Sequence, residues 1–305
     1  MRLGVLDVGS NTVHLLIVET HSGARPNPIA SVKTELRLID YINQDGAISD
    51  SGTKKLTDVI RNSIEAAHEK EVQEILPFAT SALRDATNGS QVIKEINTVF
   101  NIDLQVMSGE EEARTTFLAA RRWFGWSSGR LLVCDIGGGS LEIAIGVDET
   151  PDVAMSLPLG ASRLTNNFLE GDPFSKKSIR ALRDHVENQL QEVLPALLKH
   201  QDTDRVVATS KTFRTLARLA KDWIPGNDKS MSASALRTIS QKLGDMSLEE
   251  RQDLPGVSSS RARQIVAGSI VAESVMRNLS IDSIEICPWA LREGLVLKWL
   301  DWMEA

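Results

Sequence analysis

Short apolar runs rich in β-branched residues alternate along this chain with longer stretches of helical period. The pattern predicts strands at about 3–7, 13–19 and 28–36. A helix is predicted from Ser51 to Lys70, because its apolar residues recur at helical spacing: Leu56, Val59, Ile60, Ile64 and Ala67. The first part of the chain then continues with a strand at about 72–79, a helix at 90–100, a strand at 104–107 and a helix at 110–122.

The same order of elements recurs in the second part of the chain. It predicts strands at about 131–136, 141–147 and 152–158, helices at 160–169 and 175–199, a strand at 204–209, several helices, a strand at 283–287 and a last helix from 289. Three strands followed by alternating helices and strands are typical of a ribonuclease-H-like unit. The run from Phe124 to Gly129 interrupts the periodicity, so the domain boundary is predicted there, with domains at 1–124 and 125–288. The predicted fold class is α/β with two ribonuclease-H-like domains.

One short phrase occurs twice, as Leu6-Asp7-Val8-Gly9-Ser10-Asn11-Thr12 and as Cys134-Asp135-Ile136-Gly137-Gly138-Gly139-Ser140. Each copy joins two apolar runs and predicts the turn of a β-hairpin. The glycines permit a positive φ, so successive N–H groups can converge into an anion-binding nest beside the hydroxyl groups. Ordinary glycine-rich hairpins, with each Asp bonding its own backbone, are the alternative. Because both copies are led by Asp, we expect a duplicated fold with two phosphate-binding loops facing each other across an interdomain cleft.

Composition narrows the function. With 305 residues the chain exceeds the length at which one hydrophobic core usually stops growing, which agrees with two domains. The formal net charge of −7 argues against a general nucleic-acid-binding protein, whereas a polyanionic substrate would require positive charge concentrated in a cleft. No apolar run approaches the ~18 residues of a membrane span and no signal-peptide pattern is present, so a cytoplasmic protein is expected. Cys134 and Cys287 each end an apolar run, which predicts buried thiols rather than a disulfide or a metal site.

Five motifs resemble, in order, those of the Ppx/GppA phosphatases. They are the two loops, Ser108-Gly109-Glu110-Glu111-Glu112-Ala113-Arg114, Leu157-Pro158-Leu159-Gly160-Ala161-Ser162-Arg163-Leu164, and Ala290-Leu291-Arg292-Glu293-Gly294. That family comprises exopolyphosphatases and guanosine pentaphosphate phosphohydrolases of the actin, hexokinase and acetate kinase superfamily. The resemblance covers nearly the whole chain and implies a duplicated actin-like ATPase fold whose last helix, at about 289–305, joins the first domain. The chain resembles the short, two-domain form, which the family connects mainly to polyphosphate.

The resemblance also implies two catalytic residues. It places a glutamate that acts as general base on the attacking water at Glu112. The residues alone show only that Ser108 and Glu111 form a capping box, so Glu111 remains the competitor for this role. Arg84 follows a predicted strand and matches the family's phosphate-clamping arginine, whose planar fork suits a terminal phosphate. Without the resemblance, Arg84 would be interpreted as a solvated surface charge.

Three carboxylates accompany the predicted loops. Asp7, Asp135 and Glu142 would repel phosphate directly, so their expected role is to hold Mg²⁺, with Mn²⁺ as an alternative, mostly through retained waters. Lys211 stands where many superfamily members have glycine-rich sequence that accommodates a nucleoside. An ammonium group there favours phosphate over a base, although a lysine that merely caps strand and helix is the alternative.

The expected function is an exopolyphosphatase that releases orthophosphate from the end of linear polyphosphate by Mg²⁺-assisted attack of water. The alternative within the class is a guanosine pentaphosphate or nucleoside triphosphate phosphohydrolase. A sugar or acyl kinase, which needs a phosphoacceptor, and a non-catalytic polyphosphate-binding regulator are alternatives from other classes. No nucleic-acid or membrane partner is expected, and a homodimer is compatible with the resemblance.

Overall fold

The computed structural model describes residues 1–21, 25–200 and 202–304, with the side chain of Glu304 excepted. The chain forms two compact units: unit 1 is Met1–Thr115 with Leu291–Ala305, and unit 2 is Thr116–Ala290. The division falls inside one helix, Gly109–Phe124. The domain boundary at 124 stays a prediction from the sequence.

Unit 1 is built on a five-stranded mixed sheet. Its strands are β1 (Arg2–Val8), β2 (Thr12–Glu19), β3 (Pro28–Glu35), β4 (Glu74–Ala79) and β5 (Gln105–Val106), in the spatial order β3-β2-β1-β4-β5. Strands β1, β2 and β3 are antiparallel neighbours, whereas β4 runs parallel to β1 and to β5. The helices are α1 (Asp50–Glu69), α2 (Ser81–Asp85), α3 (Gly89–Phe100), the first part of α4 (Gly109–Phe124) and α11 (Leu291–Glu304).

Both faces of this sheet are covered. Alternation along β1 sends Leu6 and Val8 into a cluster with the apolar residues of α1 and α3. Leu3 and Val5 point to the other face, where they pack with Trp299 and its neighbours on α11. The indole N–H of Trp299 also donates to Glu74 on β4, at 3.0 Å. The last helix is therefore an integral layer of unit 1.

Unit 2 repeats this plan with an additional edge strand. Its strands are β6 (Leu131–Ile136), β7 (Leu141–Gly146), β8 (Val153–Leu157), β9 (Arg205–Ala208), β10 (Ser230–Ser232) and β11 (Ser283–Ile286), in the order β10-β11-β9-β6-β7-β8. Strands β6, β9 and β11 are parallel. Its helices, besides the end of α4, are α5 (Ala161–Phe168), α6 (Lys176–Leu198), α7 (Ser210–Trp223), α8 (Ala233–Asp245), α9 (Leu248–Gln252) and α10 (Ser259–Asn278).

Helix α10 is the centre of unit 2. Its residues from Gln264 to Met276 are all buried, and it packs against α5, α6, α7 and α8. Cys134 and Cys287 are also buried and form no disulfide, as predicted. Burial raises the pKa of the Cys134 thiol to about 12, so this thiol stays protonated at neutral pH.

The predicted α/β class with a repeated ribonuclease-H-like strand order is confirmed. Among the α-helices and strands of the described residues, two were not predicted, the short helix α2 and the short strand β10. Residue 305 of the predicted last helix lies outside the described residues. Within the part of the chain that the structure describes, no helix has the length and apolarity needed to span a bilayer. The cytoplasmic location and the homodimer stay predictions.

Candidate active site

In unit 1 the loop at 9–12 is anchored through its backbone carbonyls. The carbonyl of Asn11 accepts bonds from the N–H groups of Leu36 and Arg37, at 2.9 and 3.0 Å, and that of Ser10 accepts one from Leu38, at 2.8 Å. A trans peptide points its C=O and N–H in opposite directions. The N–H groups of Asn11 and Thr12 are therefore turned away from segment 36–38, as an anion-binding loop requires.

In unit 2 the loop at 137–140 is held in the same way, by the start of α5. The N–H of Ala161 donates to the Gly137 carbonyl at 3.0 Å, and those of Ser162 and Arg163 donate to the Gly138 carbonyl at 2.9 and 3.0 Å. The Arg163 side chain adds a bond from Nε to the Gly139 carbonyl at 2.8 Å. The first N–H groups of a helix have no hydrogen-bond partner within the helix, so the loop carbonyls provide the partners for the first N–H groups of α5. The loop N–H groups face the opposite side.

The expected reason for glycine in these loops is wrong at two positions. Neither Gly9 nor Gly137 has a φ in the left-handed region. The loop is approached closely by Gly160, where an added Cβ would lie 2.2 Å from the carbonyl carbon of Gly139 and 2.3 Å from the nitrogen of Ser140. Only glycine lets the chain before α5 come this near to the loop. Gly160 is thus a support of the loop.

Asp7 and Ser10 are linked to other elements of unit 1. The Asp7 carboxylate accepts a bond from Nη1 of Arg292 at 2.8 Å, and both side chains are largely buried. The Ser10 hydroxyl is buried 3.0 Å from the Ser81 hydroxyl at the start of α2. Asp7 therefore has an arginine counter-charge supplied by α11.

In unit 2, Asp135 and Glu142 form a cross-strand pair. They are opposite each other in the register of β6 and β7, so their side chains share one face of the sheet. The buried Thr209 hydroxyl donates to Asp135, and the Ser156 hydroxyl donates to Glu142 at 2.8 Å. Burial lowers the pKa of Arg261 to about 10, while the carboxylate of Asp135 acts in the opposite direction. Two oriented carboxylates thus face one region of unit 2.

The donor chemistry of this pair fits Mg²⁺. Magnesium is typically bound by one or two carboxylates, with waters and substrate phosphates as the other ligands. Residues 1–21, 25–200 and 202–304 contain no group of three or more His, Cys, Asp or Glu side chains placed to hold a metal. An ion held by Asp135 and Glu142 would therefore take its remaining ligands from water and substrate.

Glu112 and Arg84 are in direct contact at the carboxyl-terminal edge of the sheet in unit 1. Glu112 is 6% exposed, in the first turn of α4, and its carboxylate accepts a bond from Nη1 of Arg84. Arg84 also donates to the carbonyl of Met107, at 3.1 Å, and to Asp85, at 3.1 Å. Burial acts to lower the pKa of Arg84, but the carboxylates of Glu112 and Asp85 prevail and leave its pKa raised. Arg84 is therefore a fixed cation beside a nearly buried carboxylate.

The neighbouring acid, Glu111, has a different environment. Its exposed carboxylate accepts bonds from the N–H and the hydroxyl of Ser108, both at 2.8 Å, while the Ser108 hydroxyl accepts from the Glu111 N–H at 3.2 Å. These bonds to Ser108 lower the pKa of Glu111. Glu111 completes the predicted capping box, whereas Glu112 points to Arg84.

Lys211 lies in the first turn of α7 and is exposed. The residue before it, Ser210, has a φ of 70°, a conformation that glycine adopts with less strain. Its hydroxyl accepts a long bond from the Phe213 N–H, at 3.4 Å. Lys211 is thus presented at the carboxyl end of β9, the strand that neighbours β6.

Several contributors to the two loops were missed by the sequence reasoning. Gly160 and Arg163 belong to the motif at 157–164 and Arg292 to the motif at 290–294, and no local pattern assigns them a role. Thr209 carried a detectable signal, because the phrase Ala-Thr-Ser follows a strand in both units.

The family is shown by comparison with known proteins. The model of the Ppx/GppA phosphatase family matches residues 16–303. Exopolyphosphatase 1 of Mycobacterium tuberculosis is 48% identical to this chain, with 99% of this chain and 89% of the relative covered. The guanosine-5'-triphosphate,3'-diphosphate pyrophosphatase of Vibrio parahaemolyticus is 28% identical over 97% of this chain but only 59% of its own length. The crystal structure of an exopolyphosphatase from Cytophaga hutchinsonii matches with a TM-score of 0.87 and 26% identity, covering 99% of this chain and 98% of that one. This chain therefore belongs to the Ppx/GppA phosphatase family.

Proposed function

We propose that the protein is an exopolyphosphatase, which releases orthophosphate from the end of linear inorganic polyphosphate. The observation that carries this proposal is the buried Glu112 carboxylate held against the Arg84 guanidinium, at the edge of a sheet that also bears the loop at 9–12. Ligands of α/β sheets bind at the carboxyl ends of the strands. The family membership and the 48% identity to a relative named Exopolyphosphatase 1 support the same substrate class.

In the proposed reaction Glu112 is the general base. Its carboxylate takes a proton from a water molecule as the water oxygen forms a bond to the terminal phosphorus. The bridging P–O bond breaks, and the shortened chain leaves with the electron pair on its terminal oxygen. Phosphoryl transfer needs mainly alignment of the water and neutralisation of charge. In this scheme Glu112 aligns the water.

Arg84 neutralises charge on the transferring phosphoryl group in this scheme. Its guanidinium is planar and always charged, so it can bind two oxygens of the transferring phosphoryl group. Its bonds to the Met107 carbonyl and to Glu112 fix it before the substrate arrives, which reduces the cost of ordering a long side chain on binding. When a substrate phosphate binds Arg84, the attraction between Arg84 and the Glu112 carboxylate becomes weaker. The carboxylate is then a better proton acceptor.

The loops at 9–12 and 137–140 are proposed to bind phosphate oxygens through backbone N–H groups. These N–H groups point away from the side on which the loop carbonyls are anchored. Asp135 and Glu142 would hold Mg²⁺, or Mn²⁺ as the alternative. Asp7, whose charge Arg292 already balances, stays a predicted metal ligand. When bound, the ion would neutralise phosphate charge and orient the reacting groups. Lys211 is proposed as a phosphate-binding cation of unit 2, at the carboxyl end of β9.

A phosphate-release panel tests the proposal. Purified protein with Mg²⁺ is given short and long polyphosphate, ATP and guanosine pentaphosphate, without any phosphoacceptor. Faster orthophosphate release from polyphosphate, by kcat/KM, is expected. A preference for guanosine pentaphosphate would select the nucleotide phosphohydrolase instead. Transfer that requires an added acceptor would select a kinase, and binding without any release would select a regulator.

A further inference from the structure

The duplication of the two units extends beyond the hairpin loops. Ala79-Thr80-Ser81 in unit 1 and Ala208-Thr209-Ser210 in unit 2 each leave a strand that is parallel to the hairpin strand. The backbone angles of Thr80 are φ −119° and ψ −154°, and those of Thr209 are φ −113° and ψ −159°. Each threonine N–H also donates to the last part of the hairpin strand, to Val8 at 3.3 Å and to Cys134 at 2.9 Å. The two strand–turn–helix segments therefore share a turn geometry, although Ala79 pairs with Val8, the residue after Asp7, and Ala208 pairs with Cys134, the residue before Asp135.

Each segment places an arginine against the outermost parallel strand of its sheet. Arg84 on α2 donates to the carbonyl of Met107, directly after β5. Arg214 on α7 donates to the carbonyl of Pro288, just after β11, at 2.6 Å. Arg214 comes one position later after its threonine than Arg84 does, and Ser210, at a positive φ, lies between. Arg214 and Arg84 are thus similar in donating to a carbonyl just after a parallel strand.

The two arginines differ in their counter-charges. Arg84 contacts the carboxylates of Glu112 and Asp85. Arg214 is half-buried, its Nε is buried with no hydrogen-bond partner, and within the part of the chain that the structure describes it forms no ion pair with a carboxylate. A half-buried cation that lacks a counter-charge is costly to keep, and an anionic ligand removes this cost.

We propose that Arg214 binds the phosphate groups of the polyphosphate chain. This inference rests on the proposed function and adds a binding residue to it. Lys211 is three positions earlier on α7, so the two cations share one helix face at the carboxyl end of β9. Among the described residues no carboxylate forms an ion pair with Arg214, whereas Glu112 pairs with Arg84. Arg214 therefore binds phosphates that are not being cleaved, and it acts on substrate affinity rather than on the chemical step.

The test uses Arg214→Gln and Arg214→Lys with a matched control on the same helix. Arg218 is exposed and also donates to a backbone carbonyl, that of Gly256 at 3.1 Å, so Arg218→Gln removes a comparable structural bond. Steady-state kinetics on polyphosphate give kcat and KM. Calorimetric binding of tripolyphosphate to each variant in a Glu112→Gln background gives affinity without turnover, and thermal melting checks the fold.

We expect Arg214→Gln to raise KM and the dissociation constant about 10- to 100-fold, the loss of one or two charge-assisted bonds, while kcat changes less than about threefold. Arg214→Lys keeps the charge but not the fork and should recover part of the affinity. Arg218→Gln should bind as the wild type does. If Arg214→Gln weakens binding no more than Arg218→Gln does, or lowers kcat with KM unchanged, the assignment is overturned while the exopolyphosphatase proposal stands. Wild-type protein that neither binds nor hydrolyses polyphosphate would overturn both.

Discussion

Replacement of Glu112 by Gln separates the two adjacent acids of α4. Glutamine has nearly the same size and still offers an oxygen to Nη1 of Arg84, but it cannot accept a proton from water at neutral pH. The matched control is Glu111→Gln, since Glu111 is exposed and bonded to Ser108 rather than to Arg84. The pair of variants therefore removes the same charge from neighbouring positions with different environments.

The expected magnitudes follow from those environments. Loss of a general base costs about 10²- to 10⁴-fold in turnover, or roughly 3–5 kcal/mol in the activation free energy. Stability should fall less, by about 1–2 kcal/mol, because Arg84 keeps its bonds to Met107 and Asp85 and its side chain is 21% exposed. Glu111→Gln should instead cost about 0.5–1 kcal/mol of stability, since it weakens a helix cap, and leave turnover nearly unchanged.

The assay is phosphate release at saturating polyphosphate, with thermal melting of the same preparations and binding of tripolyphosphate as a check on the substrate site. Glu112→Gln should bind tripolyphosphate and fail to turn over. Near-normal kcat in Glu112→Gln would refute the assignment of the base. A loss of kcat in Glu111→Gln alone would move the role to Glu111.

Three further predictions concern the metal, one glycine and the pKa of Glu111. A chelator should abolish turnover and Mg²⁺ should restore it, and Asp135→Asn should raise the Mg²⁺ concentration for half-maximal activity about tenfold or more; full activity in chelator would contradict metal assistance. Gly160→Ala should lower the free energy of unfolding by about 1–3 kcal/mol, seen as a lower Tm, and should also lower activity, because its Cβ would lie 2.2 Å from the loop backbone. In the control, Gly244→Ala, the Cβ meets only a side-chain methyl at 3.3 Å, so the Tm should be close to that of the wild type. Since the folded pKa of Glu111 lies below its ordinary 4.5, its cap should stabilise the fold fully above pH 4.5 and progressively less as pH falls through the lowered pKa. The Tm difference between wild type and Glu111→Gln should therefore disappear in acid, and a constant difference would contradict this cause.

Most elements of the fold could be predicted because their burial follows a simple period. The strands β6 and β7 are mostly apolar runs, each with one carboxylate, and α1 has one apolar face. The two elements that were missed carry no such period. Helix α2 is five residues long, which is less than two turns, and β10 has serine at two of its three positions. Their formation depends on strands that are distant in sequence, so local pattern could not reveal them.

The candidate site could be predicted only in part, for a related reason. Of the three successive acids in α4, only Glu111 has a local signal, its capping box with Ser108, and the 100° rotation per residue turns Glu112 inward. The supports of the loop at 137–140, Gly160 and Arg163, approach it through folding of β8 and α5. Arg292 reaches Asp7 from the far end of the chain. Contacts of this kind are set by topology, and spacing in the sequence does not contain them.

Lys211 provides a test of substrate selectivity that is independent of the chemical step. It is exposed at the start of α7, directly after the strained Ser210, where a glycine-rich turn would let a nucleoside approach the backbone. Lys211→Gly should raise KM for polyphosphate and lower KM for guanosine pentaphosphate, because it removes both a cation and bulk. Lys211→Ala is the control for charge alone: it should weaken polyphosphate use about as much but improve nucleotide use less, since its Cβ still fills part of the space. The measured quantity is the ratio of kcat/KM for the two substrates, so a general loss of activity cancels. If the ratio is unchanged in both variants, Lys211 has no part in selectivity, and the preference for polyphosphate must come from other residues.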